Sequence, residues 1–157
     1  MIKYKSDSSM NLKNFLSQIS YSESRYDKSA NREGSEYWGL YQLGTQARID
    51  GGMGDVPKDV FLNHPEIQDL CMVNYLKVKR KELRSYIKKY DGQIIDGILM
   101  TESGILSLSH LGSGYAKSCL DSGVIPEVDG NGNHPRDRAK IGGYSLNLDK
   151  VQYSIND

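Results

Sequence analysis

Glu23 holds the position in this chain best suited to proton transfer. It lies in the run Ile19-Ser-Tyr-Ser-Glu-Ser-Arg-Tyr-Asp27, at the end of an apolar, helix-like stretch. After a short polar gap comes Tyr37-Trp-Gly-Leu-Tyr-Gln-Leu-Gly44, which adds glycine, aromatics and an amide. A carboxylic acid held against apolar and aromatic surface has its ionised form disfavoured, so it keeps its proton to higher pH. A general acid needs that property to protonate a glycosidic oxygen near neutral pH. The chemistry these residues suggest is sugar cleavage.

A second carboxylate decides which cleavage. Inversion needs a base about 6.5–9.5 Å from the acid, and retention needs a nucleophile at about 5–5.5 Å. Glu33 and Glu36 lie in the polar loop after Glu23 and are the candidates. Asp27 is four residues past Glu23 and is expected to stabilise the turn. Asp50 and Asp55 flank glycines farther on.

Metal chemistry finds little footing. His64 and His134 stand apart from other ligands, and Cys71 and Cys119 lack metal-ligand spacing. The two cysteines read as buried free thiols. Asp129-Gly-Asn-Gly-Asn133 has oxygens at alternate positions. His134 stands where a calcium loop needs glycine, and Lys140 where it needs glutamate. A polar turn is expected there, with no metal and no cofactor.

These residues need elements to hold them. Leu12, Phe15, Leu16 and Ile19 recur at helical spacing, with Ser8, Ser9 or Asn11 available as a cap. Glu23 then falls at or just beyond the last turn. Residues 27–36 read as loop. Gly39 to Asp50 reads as helix, stopped by Gly51-Gly52. His64-Pro65-Glu66 opens the longest helix, predicted to run to Tyr90 and to end at Asp91-Gly92. Thr101 is positioned to cap Gly104–Leu111, and Gly112-Ser-Gly114 breaks the chain before a short helix ending near Ser122-Gly123. From about residue 124 the chain is loop-rich, with room for one more short helix. No strand signal is strong. The expectation is a mainly α single domain over residues 1–157.

Composition narrows the class. At 157 residues, 38% apolar and 25% charged, the chain suits one soluble domain. Formal net charge is zero, so no global field favours nucleic acid or a membrane surface. No segment reaches the roughly 18 apolar residues of a membrane span. The N-terminus shows no secretory signal. Lys77, Lys79, Arg80, Lys81, Arg84, Lys88 and Lys89 read as a solvated helix face, with anionic glycan or an acidic partner as the alternative. The 11 tyrosines suit either a polar groove or the rim of a core.

Glu23-Ser24, then Gly39-Leu-Tyr-Gln42, then His110-Leu-Gly-Ser-Gly114 resemble, in order, the motifs of the lysozyme-like superfamily of lytic transglycosylases and goose-type lysozymes. The match runs from about Leu12 to Ala116. The Trp-Gly-x-Tyr-Gln and His-Leu-Gly variants resemble a subgroup of phage-associated and secreted wall-degrading modules. The resemblance implies a lysozyme-like helical domain with a substrate cleft. It implies that Glu23 is the catalytic acid and that Ser24 supports it or lines the groove. It makes Gln42 a substrate-side amide and puts Tyr41 where the family usually has Met. Tyr37 and Trp38 become groove aromatics, and His110 and Gly112 fall in the last family segment. The family tyrosine that hydrogen-bonds the acid has no direct counterpart; Tyr115 and Tyr37 are the candidates.

The same resemblance leaves two mechanisms. Transglycosylases use the substrate's own 6-hydroxyl and need no second carboxylate. Goose-type enzymes place acidic groups in the loop before the Gly-Leu segment. Glu33, six residues before Gly39, is the first choice, and Glu36, beside the aromatics, the second. The implied substrate is the MurNAc-β-1,4-GlcNAc bond of peptidoglycan, cut by a monomer, with an inhibitor or immunity protein as a possible partner. The implied place of action is the periplasm or wall. Delivery is then by phage, holin or secretion system, or as part of a longer chain. The rivals are a chitinase- or chitosanase-like hydrolase and a glycan-binding module without activity.

Overall fold

The computed structural model describes residues 2–4 and 9–153. They are mainly helical, as expected. The stripe Leu12, Phe15, Leu16 and Ile19 forms the buried face of α1 (Ser9–Ser24), each side chain at most 3% exposed. Burying one such side chain is worth about 1.5–3 kcal/mol, so the stripe outweighs the helix's several serines and asparagines. Of the proposed caps, Ser8 lies outside the described residues, and Ser9 and Asn11 lie within the helix.

The expected helix from Gly39 to Asp50 is corrected. Only α2 (Thr45–Asp50) is helical. Before it, Trp38 and Leu43 exchange backbone hydrogen bonds of 3.2 and 3.1 Å and close a tight turn. Gly39 (φ +80°) and Gln42 (φ +49°) are left-handed in that turn, which an α-helix forbids. Gly52 (φ +78°) then stops α2, as expected. α3 (Lys58–Asn63) follows Pro57.

The long helix is also corrected. It divides into α4 (Pro65–Glu82) and α5 (Arg84–Tyr90) at Leu83, whose φ of −98° and ψ of 9° leave the helical range. Hydrogen bonds from Leu83 N to the Lys79 carbonyl and from Ile87 N to the Leu83 carbonyl continue through the break, both 2.9 Å. The interruption at Leu83 is therefore local, within a nearly continuous run of helical hydrogen bonds.

Two short antiparallel pairs were not expected. β1 (Ile2–Tyr4) pairs with β4 (Val151–Tyr153), Ile2 opposite Tyr153. β2 (Ile94–Ile95) and β3 (Ile98–Leu99) form a hairpin around Asp96-Gly97, both left-handed. An Asp-Gly pair between apolar residues is the standard signal for such a turn. Next come α6 (Glu102–Ser109), α7 (Ser113–Ser122) and α8 (Pro135–Ala139), then a 3₁₀ turn at Leu148–Lys150. Thr101 caps α6 as expected, its Oγ1 accepting from Gly104 N at 3.0 Å.

The chain forms two compact units, divided inside α4. The first is Met1–Val78 with Leu146–Asp157, and the second is Lys79–Ser145. In the second, α6 packs on α7 and α8. Cys71 and Cys119 are buried free thiols, as expected. Among the described residues no helix is long and apolar enough to cross a membrane.

Candidate active site

Glu23 sits half-buried in the last turn of α1. Ser24, beside it, ties the helix end to the next segment. Its Oγ lies 2.8 Å from the Leu40 carbonyl and 3.2 Å from the Ser20 carbonyl one turn back. The chain then reverses through Arg25 (φ 55°) and Tyr26 (φ 66°). The Arg25 guanidinium lies 4.1 Å from the Tyr21 ring centre, and the Tyr21 and Tyr26 rings are 5.4 Å apart. With Gln42, these make three of the four left-handed non-glycine residues described. Each costs about 1–3 kcal/mol and persists only where surroundings enforce it; such residues gather at functional sites.

The enforcing groups are buried polar side chains. Gln68 of α4 is fully buried. Its Oε1 accepts from Leu40 N at 2.7 Å, and its Nε2 donates to the Lys28 and Phe61 carbonyls at 2.9 and 2.8 Å. A Cβ on Gly39 would lie 2.7 Å from the Gln68 side-chain carbon, so glycine is required there by space as well as by φ. The buried Arg48 donates from Nη1 to the Glu36 and Leu43 carbonyls, both at 2.5 Å. Its guanidinium stacks 3.4 Å above the Trp38 ring, whose edge meets Phe61 at 5.8 Å. Burial pushes the Arg48 pKa down, opposed by Cys71 and the Glu36 carboxylate. Burial also pushes the Cys71 thiol up to about 12, so it is no nucleophile.

Gln42 and Tyr41 face differently from the sequence reading. Gln42 Nε2 donates to the Ala30 and Gly39 carbonyls at 2.9 and 3.0 Å, so its amide nitrogen braces the loop. Tyr41 is a core residue, 4% exposed, and its hydroxyl donates to Asp69 Oδ1 at 2.5 Å. Tyr37, at 52% exposure, is the open aromatic, and Trp38 is half-buried.

Glu33 and Glu36 are exposed in the loop between Glu23 and the turn. The Glu36 carboxylate hangs over Gly44, where a Cβ would meet its Oε1 at 2.6 Å. Asn31 braces this loop, donating to the Ser35 and Tyr37 carbonyls at 3.0 and 2.9 Å. Asp27 stabilises its turn as expected, its Oδ1 accepting from Ser29 N at 2.9 Å.

Glu23, Ser24, Glu33, Glu36, Tyr37, Trp38, Tyr41 and Gln42 all belong to the first unit. His110 and Tyr115 belong to the second. His110 ends α6 with its Nδ1 buried. The Tyr115 hydroxyl is buried, and its pKa is pushed up to about 12 by burial and by the neighbouring Cys119.

The Asp129 loop is a self-contained turn. Asp129 Oδ1 accepts from Asn131 N and Asn133 N, both at 2.8 Å. Burial alone would push its carboxyl up, but these hydrogen bonds outweigh burial and hold its pKa below the ordinary value. Among the described residues, no group of three or more His, Cys, Asp or Glu could hold a metal.

Sequence reasoning missed Gln68, Arg48 and Asp69. Gln68 carried a signal: a glutamine one turn before Cys71, Met72 and Val73, on the face that becomes buried. Comparison with protein-family models, curated proteins and solved structures finds no match.

Proposed function

We propose that this chain is a glycosidase of the bacterial wall, cutting the β-1,4 bond between N-acetylmuramic acid and N-acetylglucosamine with Glu23 as general acid. The observation that carries this reading is the fixing of the α1 end. A half-buried carboxylate stands beside a serine bonded to the Leu40 carbonyl, next to backbone held left-handed at three residues. General acid catalysis requires such fixed placement. The order of the Glu-Ser, Gly-Leu-Tyr-Gln and His-Leu-Gly segments adds the substrate class and the lysozyme-like fold with its cleft.

In this mechanism Glu23 gives its proton to the bridging oxygen as the C1–O bond breaks. The glycosyl cation is then captured by water or by the 6-hydroxyl of the same sugar, whose proton passes to the Glu23 carboxylate left by the first step. Water requires a base, and Glu33 is the first candidate, Glu36 the second. Both project from a loop braced by Asn31, and the Glu36 carbonyl is held by Arg48. Tyr37 is the open stacking surface for a sugar, Ser24 and Gln42 are positioning residues, and Tyr41 supports the turn from beneath. The enzyme acts as a monomer in the periplasm or wall, without metal or cofactor. The test is the rate of clearing of purified sacculi by Glu23→Gln, with circular dichroism as the folding control. The amide keeps the shape but has no acidic proton, so the rate falls by about 10²–10⁴. Clearing at the wild-type rate by a folded variant removes Glu23 from the chemistry.

A further inference from the structure

Between Lys79 and Tyr90, in the second unit, six of the seven charged residues are cations. Three of them have partners within the fold. Lys79 lies 3.9 Å from Glu82, Arg80 lies 4.0 Å from Glu102, and the Lys89 ammonium sits 5.1 Å from the Tyr90 ring centre. Lys81, Arg84 and Lys88 are exposed, and among the described residues their side chains make no hydrogen bond, ion pair or ring contact. The acids of the same unit that could neutralise them are engaged elsewhere. Glu82 and Glu102 hold the two pairs just given, and Asp121 accepts from the Tyr86 and Tyr90 hydroxyls at 2.5 and 2.7 Å. Asp91, just past α5, makes no ion pair with any of the three.

The three cations share a face. Positions 81, 84, 85 and 88 follow the three- and four-residue steps that line up along one side of a helix, and helical hydrogen bonds continue past Leu83. Leu83 and Tyr90, both buried, mark the opposite side. The fourth member of the seam is Ser85, also exposed. The seam therefore presents three cations and a hydroxyl, with no apolar side chain among them. Helix stability does not explain it. Like charges at three- and four-residue steps oppose one another. The helix dipole favours cations only near the last turn, which covers Lys88 but leaves Lys81 and Arg84 inside the continuous run.

We propose that this seam docks a linear phosphodiester polymer of the bacterial wall, its phosphates paired in succession with Lys81, Arg84 and Lys88. Phosphate oxygens accept what these side chains donate, and a guanidinium takes a phosphate in two parallel hydrogen bonds. Neighbours at three- and four-residue steps stand about 5–6 Å apart. A phosphodiester of short repeat carries its charges at spacings of that order, whereas stem-peptide carboxylates recur only once per disaccharide. Docking on a lipid surface requires apolar side chains beside the cations, and the seam has none. Gripping a nucleic acid strand requires an aromatic for its bases, and the seam has none. Only the polymer's place in the wall rests on the glycosidase reading; the charge pattern does not.

The test is an NMR titration of the full wild-type chain with poly(glycerol phosphate), which a glycosidase does not cleave. Saturable shifts are expected at the Lys81, Arg84, Ser85 and Lys88 amides. Raising the salt fourfold weakens binding by about twentyfold, as for three phosphates that each release about 0.7 of a counterion. Lys81→Gln, Arg84→Gln and Lys88→Gln together weaken it by about thirtyfold, at about threefold for each exposed pair. Lys13→Gln, Lys28→Gln and Lys58→Gln together, all at exposed positions in the first unit, remove the same charge and leave the affinity unchanged. Absence of saturable shifts overturns the proposal, as does equal weakening by the two triple variants. Tighter binding of oligodeoxythymidylate, or of phosphatidylglycerol vesicles, than of the polymer at equal phosphate also overturns it. Binding without cleavage of sacculi by the wild type overturns the glycosidase reading alone. Cleavage without binding overturns this proposal alone.

Discussion

Trp38–Gly44 in the first unit and α6 in the second are held by opposite means. In α6, every residue from Ser103 to Ser109 is buried, and regular helix satisfies the backbone from within. Thr101 closes its start, and apolar side chains do the rest. In the turn, the backbone pair Trp38–Leu43 is supplemented by polar side chains, Gln42 from the turn itself and Gln68 and Arg48 from elsewhere. Gln68 takes Leu40 N, Gln42 holds the Ala30 and Gly39 carbonyls, and Arg48 holds those of Glu36 and Leu43. Buried irregular backbone must find partners outside itself. The turn therefore depends on single polar residues, whereas α6 depends on a pattern. The dependent region is the one that adjoins Glu23.

Substitutions should expose that contrast. Gln68→Ala removes the partners of one amide and two carbonyls, for a loss of about 4 kcal/mol at roughly 1–3 kcal/mol per buried orphan. Leu106→Ala in α6 costs about 3 kcal/mol as a core cavity. Urea denaturation reads both losses. Clearing of sacculi per folded molecule falls only for Gln68→Ala; equal effects of the two on rate erase the distinction.

Gly39→Ala is next, at about 3 kcal/mol. It combines left-handed strain with displacement of the Gln68 amide. Pairing it with Gln68→Ala sharpens the comparison, because the two costs are then less than additive in a double-mutant cycle. Additive costs would mean that Gly39 and Gln68 do not share one contact.

Ser24→Ala is smaller, about 1 kcal/mol for a part-buried hydrogen bond. It frees the α1 end from the Leu40 carbonyl, so cleavage falls by more than the stability loss explains. A thermal melt beside a rate measurement checks this. An unchanged rate would leave the tie to Leu40 without a part in placing Glu23.

The smallest effect is one of pH. The folded pKa of Asp69 is raised, so the native state keeps its proton after the unfolded chain has released it. Stability therefore falls as pH rises from about 3.9, the unfolded value, through the raised folded one. Asp69→Asn lacks that fall, so it gains stability relative to wild type across the window. Parallel pH–stability curves would show that Asp69 is not shifted.

Much of the frame was legible in the sequence because it rests on local rules. The stripe Leu12 to Ile19 gave α1, Pro65 began α4, Thr101 capped α6, and Gly52, Gly92 and Gly123 stopped helices at left-handed φ. The Asp96-Gly97 hairpin was local too, but its flanking strands are only two residues each. The turn was not legible. Gln68 reaches Lys28 across 40 positions, and Tyr41 reaches Asp69 across 28, so no local pattern reveals that these side chains point inward. The same distance hid the direction of Gln42, whose type and position suited a substrate contact but whose nitrogen braces the loop.

The central claim is that Glu23 donates the proton that breaks the glycan strand. Its most direct measurement is a mass spectrum of the products released from purified sacculi by the wild type, with Glu23→Gln beside it. The claim predicts disaccharide muropeptides from the wild type, at the full mass if water attacks and one water lighter if the 6-hydroxyl does. From the variant it predicts almost none. Absence of muropeptides from the wild type, or equal release by both proteins, would contradict it.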